Sequence, residues 1–499
     1  MKTLFQLAKY NEANHKIIEL LMPQEADSPL KKLFSIVFSE RTISDKQAMM
    51  AIYGAKKLST FSRLKTRLKD ILIKVTLLQN SSLENEYSRA NESMNQHRSA
   101  IAAKFLIQRR ITSLAIEIAE RALIRSIKYD ATENIILLIR MLVPHYGTQE
   151  YNKDKFRKYL ALQEQYLYVH SCEIKAQNYY LELQHSSLYS FAPSNESTID
   201  KSKRYAADLD KIDNIKTYFF LTYKYRVKAL NLEYEKDYEA LLVLSDQTIR
   251  QLSTPKYKSN SFRQSLNLRK ASALIQLGRN DEAILLGTKD MKSLPSGSLA
   301  WYFIAHYKLK AQLYKGDYKN AVDLIKLMIE NPLFSKIGGN YRELFTATLG
   351  YIHLIVDSGL AGDPKKLKPS LPEFKLGKFL NTIPVFSKDK KGINASILLM
   401  HIAFLLQRKN YNAIIDRVDS LKQYAYQYLR KDDTFRSNCM IKMVIQMTKA
   451  DFNPIRTERY TRDLLKQLEA VKLAGSGENI ETEIIPYEVL WNIMKKALL

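Results

Sequence analysis

The sequence predicts an all-α protein whose helices pair into an α-solenoid, and three observations lead to this prediction. Glycine and proline are scarce, at 15 and 13 among 499 residues, whereas sandwiches, barrels and Gly-looped α/β enzymes need many special turns. Apolar residues recur at the i, i+3, i+4, i+7 spacing of one helix face. A turn pattern with a small residue also repeats about every 40 residues, which is typical of helical repeats.

Composition and helical pattern divide the chain into five predicted segments. The polar stretch 190–202 breaks the pattern, and we interpret it as a register point in one array rather than as a domain boundary. The predicted segments are an N-terminal helical cap at 1–80, a helical-repeat segment at 81–202, the clearest repeats at 203–358, an inserted loop rich in Lys and Pro at 359–392, and C-terminal repeats with a capping helix at 393–499.

The N-terminal cap is predicted to hold three helices over residues 28–80. A Ser-Pro pair at Ser28 is typical of a helix start, because Ser caps free N–H groups and Pro fits the first helical position. Ser44 begins a capping box and a second, short helix, which Gly54 ends. A third helix is predicted from 59 to 78, with apolar residues on one face and basic residues on the other.

The next segment shows strong helical patterning with few breaks. Residues 100–126 are rich in Ile, Leu and Ala, and the stretch 144–147, which contains Pro and Gly, ends the following helical run. Residues 153–188 are rich in Tyr and Gln, and we predict a pair of long helices there.

A turn pattern repeats within the segment 203–358. In each copy a Gly follows one helix, polar residues come next, and an Ala stands five positions after the Gly. Gly278 and Ala283 form the first copy, and Gly316 and Ala321 form the second, so that the two Ala residues are 38 positions apart.

This pattern resembles the tetratricopeptide repeat (TPR), in which Gly closes the first helix, an aromatic residue packs the turn, and a small residue lets the second helix cross closely. The resemblance implies TPR-like helix pairs over 215–335. The chain departs from the family in its longer period, in Asn280 at an aromatic position, and in weaker copies without Gly at 235–240 and 408–413. The residues that match the family positions are Gly278, Ala283, Gly316, Tyr318 and Ala321.

The whole chain also resembles an uncharacterised family of Bacteroidetes helical-repeat proteins of similar length. This resemblance implies no activity. The stretches that carry it are KFLN at 378–381, FSKDKKG at 386–392, YLRKDDTFR at 428–436 and IIPYE at 484–488.

Charge and cysteine content limit the partners and the compartment. Lys and Arg number 77 against 52 Asp and Glu, a net charge of +25, and such an excess attracts nucleic acid, anionic membranes or acidic proteins. Two cysteines, Cys172 and Cys439, are too few for a disulfide framework, so we expect a reducing compartment and a cytoplasmic protein. No stretch is apolar for long enough to span a bilayer.

The sequence predicts no enzyme. It contains none of the motifs GxGxxG, GxxxxGK[ST], HExxH, GxSxG and CxxC, which supply the local geometry of common phosphate, zinc and serine-nucleophile sites. His170 and Cys172 are the closest His/Cys pair, too few for a structural zinc with four ligands. We therefore expect no catalytic residue, cofactor or metal.

The favoured prediction is a scaffold or adaptor that binds an acidic protein or peptide on a concave face. A solenoid presents a large concave surface, and a long loop in such an array is often functional. The segment 359–392 carries eight Lys against three acidic residues. The candidate partner contacts are Lys365, Lys366, Lys368, Lys388, Lys390 and Lys391.

The alternative prediction is a regulator that binds nucleic acid through the basic helix 59–78 and uses its TPR-like repeats to sense a partner. A short helix, a turn and the basic helix 59–78 have the outline of a helix-turn-helix, although the turn is longer than is usual for that motif. The candidate contacts are Arg63, Lys65, Arg67 and Lys74.

Overall fold

The computed structural model describes residues 1–23, residue 25, and residues 27–39, 43–78, 89–189, 196–253, 260–382, 393–428, 434–476 and 482–499. These residues form helices and turns and contain no β-strand, which confirms the all-α fold class. No helix in this described part is long and apolar enough to cross a lipid bilayer.

The α-helices are, in chain order, α1 (Lys2–Tyr10), α2 (His15–Leu20), α3 (Pro29–Ser39), α4 (Asp45–Tyr53), α5 (Leu58–Leu78), α6 (Arg89–Gln108), α7 (Thr112–Lys128), α8 (Thr132–Pro144), α9 (Lys153–Tyr189), α10 (Glu196–Asp210), α11 (Tyr218–Glu235), α12 (Tyr238–Leu252), α13 (Asn260–Gln276), α14 (Asn280–Ser293), α15 (Leu299–Lys315), α16 (Tyr318–Ile329), α17 (Gly339–Asp357), α18 (Pro364–Leu367), α19 (Leu376–Thr382), α20 (Ile393–Gln407), α21 (Tyr411–Tyr428), α22 (Phe435–Lys449), α23 (Pro454–Ala470), α24 (Leu473–Ser476) and α25 (Tyr487–Leu498). Short 3₁₀ turns occupy Glu12–Asn14, Phe334–Lys336 and Lys368–Ser370, and a π-helical turn occupies His145–Gln149.

One turn geometry recurs where many of these helices end. At the end of α15, Gly316 has a left-handed backbone with φ +81°, and the Asp317 N–H donates to the Gln312 carbonyl at 2.9 Å. This Schellman arrangement satisfies carbonyl groups that the end of a helix leaves unpaired. The same left-handed residue and backward hydrogen bond occur at Arg110, Asp130, Lys236, Gly278, Gly359, Lys409 and Asp451.

The N-terminal segment contains more helices than the three predicted. The predicted starts and ends hold, since Ser44 and Gln47 form a reciprocal capping box and Gly54 ends α4 with φ +62°. In addition, α1 and α2 contribute Leu4 and Ile18 to the same apolar cluster as α3, α4 and α5. The helices before position 28 therefore belong to this unit, and its described residues form five α-helices.

The prediction of two helices at 153–188 is wrong, because this stretch lies within the single helix α9 of 37 residues. The sequence of α9 contains no Gly or Pro that would end a helix inside it. Near its start α9 packs Tyr159 into a cluster with α8, and from its middle onward it packs Val169 and Ala176 against α10 and α11. One long helix thus contributes side chains to two successive apolar clusters.

Most helices pack against their neighbours along the chain. From α6 to α17 each helix contacts the next one, and α6–α8, α9–α11 and α13–α15 are also in contact. Such nearest-neighbour packing lets a core extend along a series of helices. The largest apolar cluster runs from α15 to α25 and includes the buried residues Trp301 and Trp491.

The helix α25 packs against α20, α22 and α23, and a buried ionic cluster joins it to α22. Arg436 of α22 is 5% exposed and donates to both oxygens of Glu483, at 2.9 and 2.8 Å. The same guanidinium donates to Glu488 of α25 at 2.7 Å and to the carbonyls of Leu468 and Val471 at 3.0 and 2.7 Å. Although burial disfavours the charge of Arg436, the two carboxylates outweigh it and raise the pKa of the guanidinium.

The described part of the segment 359–392 is partly helical and is attached to the core. It forms α18, a 3₁₀ turn and α19. Leu371, Leu376 and Phe379 are buried in the same apolar cluster as α17 and α20. The predicted loop is therefore a folded insertion over these residues.

Candidate functional site

A groove between α11, α12 and the linker that precedes α11 is the largest candidate site that we describe. Its volume is about 730 Å³, within the usual range for ligand pockets. The linker contributes Ile212, Asp213, Ile215 and Lys216, α11 contributes Phe220, Leu221, Lys224, Tyr225 and Lys228, and α12 contributes Leu244, Gln247, Thr248 and Gln251. We call this the α11–α12 groove.

Helical spacing explains why these side chains share one wall. The α11 residues recur at the i, i+3, i+4, i+7 positions of a single face, and so do the four residues of α12. Thr217 fixes the start of α11, because its side chain accepts a hydrogen bond from the Phe220 N–H at 3.4 Å. The two faces meet because α11 and α12 join through the Schellman turn at Lys236.

The floor of the groove is apolar. Ile215 and Phe220 are buried, and Leu221 and Leu244 are half-buried. Tyr225 is buried beside them, with its hydroxyl 3.0 Å from Ser245 Oγ. Burial raises the pKa of Tyr225 to about 12, so the phenol is neutral.

Ammonium groups stand above this floor. Lys224 Nζ lies 3.1 Å from Asp210 Oδ1, and Lys228 Nζ lies 2.8 Å from Asp210 Oδ2. Burial raises the pKa of Asp210, but the hydrogen bonds from Lys228 and Lys224 outweigh burial and hold the pKa below its usual value. With the exposed Lys216, the groove has three lysines against the two carboxylates Asp210 and Asp213, and this small excess of positive charge suits a ligand that has both anionic and apolar parts.

The structure places the predicted partner contacts elsewhere. Lys365 and Lys366 are exposed on the short helix α18. Lys368 is exposed on the following 3₁₀ turn and forms an ion pair with Asp357 at 2.9 Å. The other three predicted contacts, Lys388, Lys390 and Lys391, lie outside the described residues.

Three of the predicted nucleic-acid contacts share one exposed face of α5. Arg63 and Arg67 are four residues apart, and Lys74 follows seven residues later, so their side chains align. Asp70 is exposed on the same face and reduces its positive charge.

The fourth, Lys65, points to the opposite side and takes part in packing. It forms an ion pair with Asp45 at the start of α4. Asp45 also accepts a hydrogen bond from the Met1 ammonium group at 2.7 Å. Hydrogen bonds from Lys65 and from the N-terminus lower the pKa of Asp45. Lys65 therefore links α5 to α4 and α1.

The residues of the predicted repeat occupy matching places in two turns. Gly278 and Gly316 have φ values of +74° and +81°, and a Cβ added at either would meet no atom within 4 Å. Ala283 and Ala321 are buried one turn into the following helices, where they allow close packing. Tyr318 is half-buried against the large apolar cluster.

The described residues hold no group of three His, Cys, Asp or Glu side chains that could bind a metal ion. Cys172 and Cys439 are buried, and neither forms a disulfide. Comparison of the chain with protein-family models, curated proteins and solved structures finds no match.

Sequence reasoning missed the groove residues Lys216, Lys224 and Lys228. Lys224 and Lys228 lie four residues apart on an apolar helix face, and this spacing is the sequence pattern from which they could have been predicted. Their position over a groove depends on how α12 and the α10–α11 linker pack, which local patterns do not report.

Proposed function

We propose that this protein is a non-enzymatic scaffold or adaptor, a TPR-like α-solenoid whose α11–α12 groove binds an acidic protein or peptide. The groove carries this proposal, because its apolar floor and its excess of lysines over carboxylates suit a peptide with alternating acidic and apolar side chains. Its about 730 Å³ can hold several side chains. The net charge of +25 would speed the encounter with an acidic partner.

The packing of the helices supports the solenoid part of the proposal. Each helix from α6 to α17 contacts its successor, and the Schellman turn recurs with either Gly or a charged residue at the left-handed position. The weaker repeat copies fit the same scheme, since Lys236 and Lys409 occupy the place of Gly with φ +60° and +55°.

Fluorescence anisotropy with labelled peptides tests the proposal on the full chain. The probe peptide alternates Glu and Leu, and a peptide with Lys in place of each Glu is the charge control. We expect saturable binding of the acidic peptide alone. The variant Lys216→Glu should bind about tenfold or more weakly, because a hydrogen bond to a charged group contributes about 1.5–3 kcal/mol.

The matched control is Lys289→Glu, which makes the same charge change at an exposed site on α14. If both variants lower the affinity equally, the effect is one of net charge, and the groove proposal fails. Affinity purification from native lysate, with and without nuclease and at two salt concentrations, tests the alternative function. Recovery of nucleic acid that is lost with Arg63→Glu and Arg67→Glu would favour a nucleic-acid-binding regulator instead.

A further inference from the structure

A second cavity lies where α6, α8, α9 and α11 meet. Its volume is about 220 Å³, which corresponds to roughly seven water molecules at ~30 Å³ each. Its lining residues are Ser93 and His97 of α6, Asp130, Ala131, Thr132, Glu133 and Asn134 around the start of α8, His170, Glu173 and Ile174 of α9, and Phe219 of α11. We call it the acidic pocket.

The charge of this pocket is opposite to that of the whole chain. Three carboxylates, Asp130, Glu133 and Glu173, line it, and neither Lys nor Arg is among its described lining residues. The protein as a whole carries +25. A concentration of negative charge in a basic chain selects a cation.

Two of the three carboxylates are held in fixed positions. Glu173 is 4% exposed and accepts hydrogen bonds from the hydroxyls of Thr132 at 3.0 Å and Thr217 at 2.5 Å. Asp130 occupies the left-handed position of the α7–α8 turn, and its side chain accepts a hydrogen bond from the Tyr218 N–H at 3.3 Å. These contacts come from three different parts of the chain, so the site is preorganised by tertiary packing.

Two polar atoms in the wall are buried without a hydrogen-bond partner among the described residues. Asn134 is 1% exposed, and its Nδ2 donates to the Ser93 carbonyl at 3.3 Å and lies 2.9 Å from His97 Nδ1. Its Oδ1 has no partner, and neither does His170 Nδ1. A buried acceptor that lacks a donor destabilises the folded state, so a ligand that donates hydrogen bonds would restore this stability.

We propose that the acidic pocket binds a small primary ammonium ligand. An ammonium group carries the charge that the carboxylates select, and its three N–H donors match an acceptor set that includes the Asn134 Oδ1. The Phe219 ring supplies an apolar surface that also favours a cation. The pocket volume of about 220 Å³ suits a ligand with a short alkyl chain. A metal ion fits less well, because the described residues hold no group of three metal-binding side chains.

Isothermal titration calorimetry of the full chain tests this proposal with n-butylammonium as the probe. Butyrate has the same size and the opposite charge, and tetramethylammonium has the same charge but no N–H donor. We expect saturable binding of n-butylammonium, no binding of butyrate, and binding of tetramethylammonium that is weaker by about tenfold or more, since hydrogen bonds to charged groups contribute at least ~1.4 kcal/mol.

The variant Asp130→Asn removes one charge while preserving the fold. Asn tolerates the left-handed backbone and still accepts a hydrogen bond from the Tyr218 N–H. The control Asp451→Asn makes the same change at the left-handed position of the α22–α23 turn, where φ is +53°. We expect Asp130→Asn to weaken n-butylammonium binding about tenfold and Asp451→Asn to leave it unchanged. Absence of saturable binding to the wild type, or equal affinity in both variants, overturns the proposal.

Discussion

Replacing Arg436 by Met should destabilise the C-terminal part of the chain strongly, although Met has a similar length and is apolar. Arg436 joins α22 to α25 through Glu483 and Glu488, and also binds two backbone carbonyls. Without the guanidinium, Glu483 stays fully buried, and among the described residues the Tyr487 N–H remains as its donor at 2.8 Å. The cost therefore comes mainly from a buried carboxylate that has lost its counter-ion.

The expected loss in the free energy of unfolding is about 3–5 kcal/mol, the usual cost of breaking a buried ion pair by removing one partner. Exchanging the carboxylate for an amide in the double variant Arg436→Met/Glu483→Gln should recover about 2 kcal/mol, because a buried amide needs no counter-ion. The control Lys422→Met removes an exposed pair with Asp419 and should cost about 0–1 kcal/mol.

Urea unfolding at neutral pH measures these differences. Circular dichroism reports all helices. In a Trp301→Phe background, the remaining tryptophan is Trp491, which is buried in α25, and its fluorescence reports the attachment of this helix. We expect the fluorescence transition of Arg436→Met to move to lower urea than the circular dichroism transition, because α25 detaches first. A variant that is as stable as Lys422→Met, or a double variant that is no more stable than Arg436→Met, would refute the reasoning.

Three further predictions concern pH and backbone strain. Burial, together with the charges of Arg417 and Arg408, lowers the pKa of the His401 imidazole to about 4. Below the ordinary pKa of ~6.5, the unfolded chain binds a proton at this residue that the folded chain does not bind. The wild type therefore loses stability as the pH falls from ~6.5 towards 4. Over this pH range, thermal melts should show that His401→Gln loses about 1–2 kcal/mol less stability than the wild type. If both proteins lose stability equally as the pH falls, His401 is not the group responsible. Gly316→Ala should destabilise by about 1 kcal/mol because φ is +81° while space is free around the residue. Lys409→Gly should instead stabilise the protein by about 0.5 kcal/mol, since Gly relieves the left-handed strain at φ +55°. Chemical denaturation measures the change in unfolding free energy for both variants. If both variants change it in the same direction, backbone strain is not the cause.

The sequence predicted the features of the fold that depend on local chemistry. The capping box at Ser44, the helix end at Gly54 and the long helix α5 follow from side chains within one turn of the backbone they cap or cover. The turns at Gly278 and Gly316 were found most clearly, and those at Lys236 and Lys409 were found as weaker copies without Gly. At Lys236 and elsewhere a charged residue adopts the left-handed conformation at a cost of about 1–2 kcal/mol, and the type of residue at such positions does not by itself indicate a turn.

The features that sequence reasoning missed depend on contacts distant in the chain. Arg436 and Glu483 are 47 positions apart, and neither has neighbours that predict a buried pair. Asn134 and Ser93 meet only because α6 and α8 pack together. The predicted partner contacts relied on the density of Lys in one segment. A high density of Lys shows where charge is concentrated, whereas a groove also requires two helices that meet over an apolar floor.

The first turn of α11 is shared by both cavities, and this makes a final prediction possible. Thr217 caps α11 and donates to Glu173 in the wall of the acidic pocket, while Phe219 faces that pocket and Phe220 lies in the α11–α12 groove. Thr217→Val removes the cap and one hydrogen bond to a buried carboxylate, and should destabilise by about 1–3 kcal/mol.

Thr217→Val should also weaken the binding of both the acidic peptide and n-butylammonium, because each site takes its geometry from this turn. Lys216→Glu should affect the peptide alone, since Lys216 lines only the groove, and Asp130→Asn should affect the amine alone. Anisotropy and calorimetry on the same three variants measure this pattern. If Thr217→Val changed one affinity and left the other intact, the two sites would not depend on a common helix start, and the shared wall would have no role in positioning them.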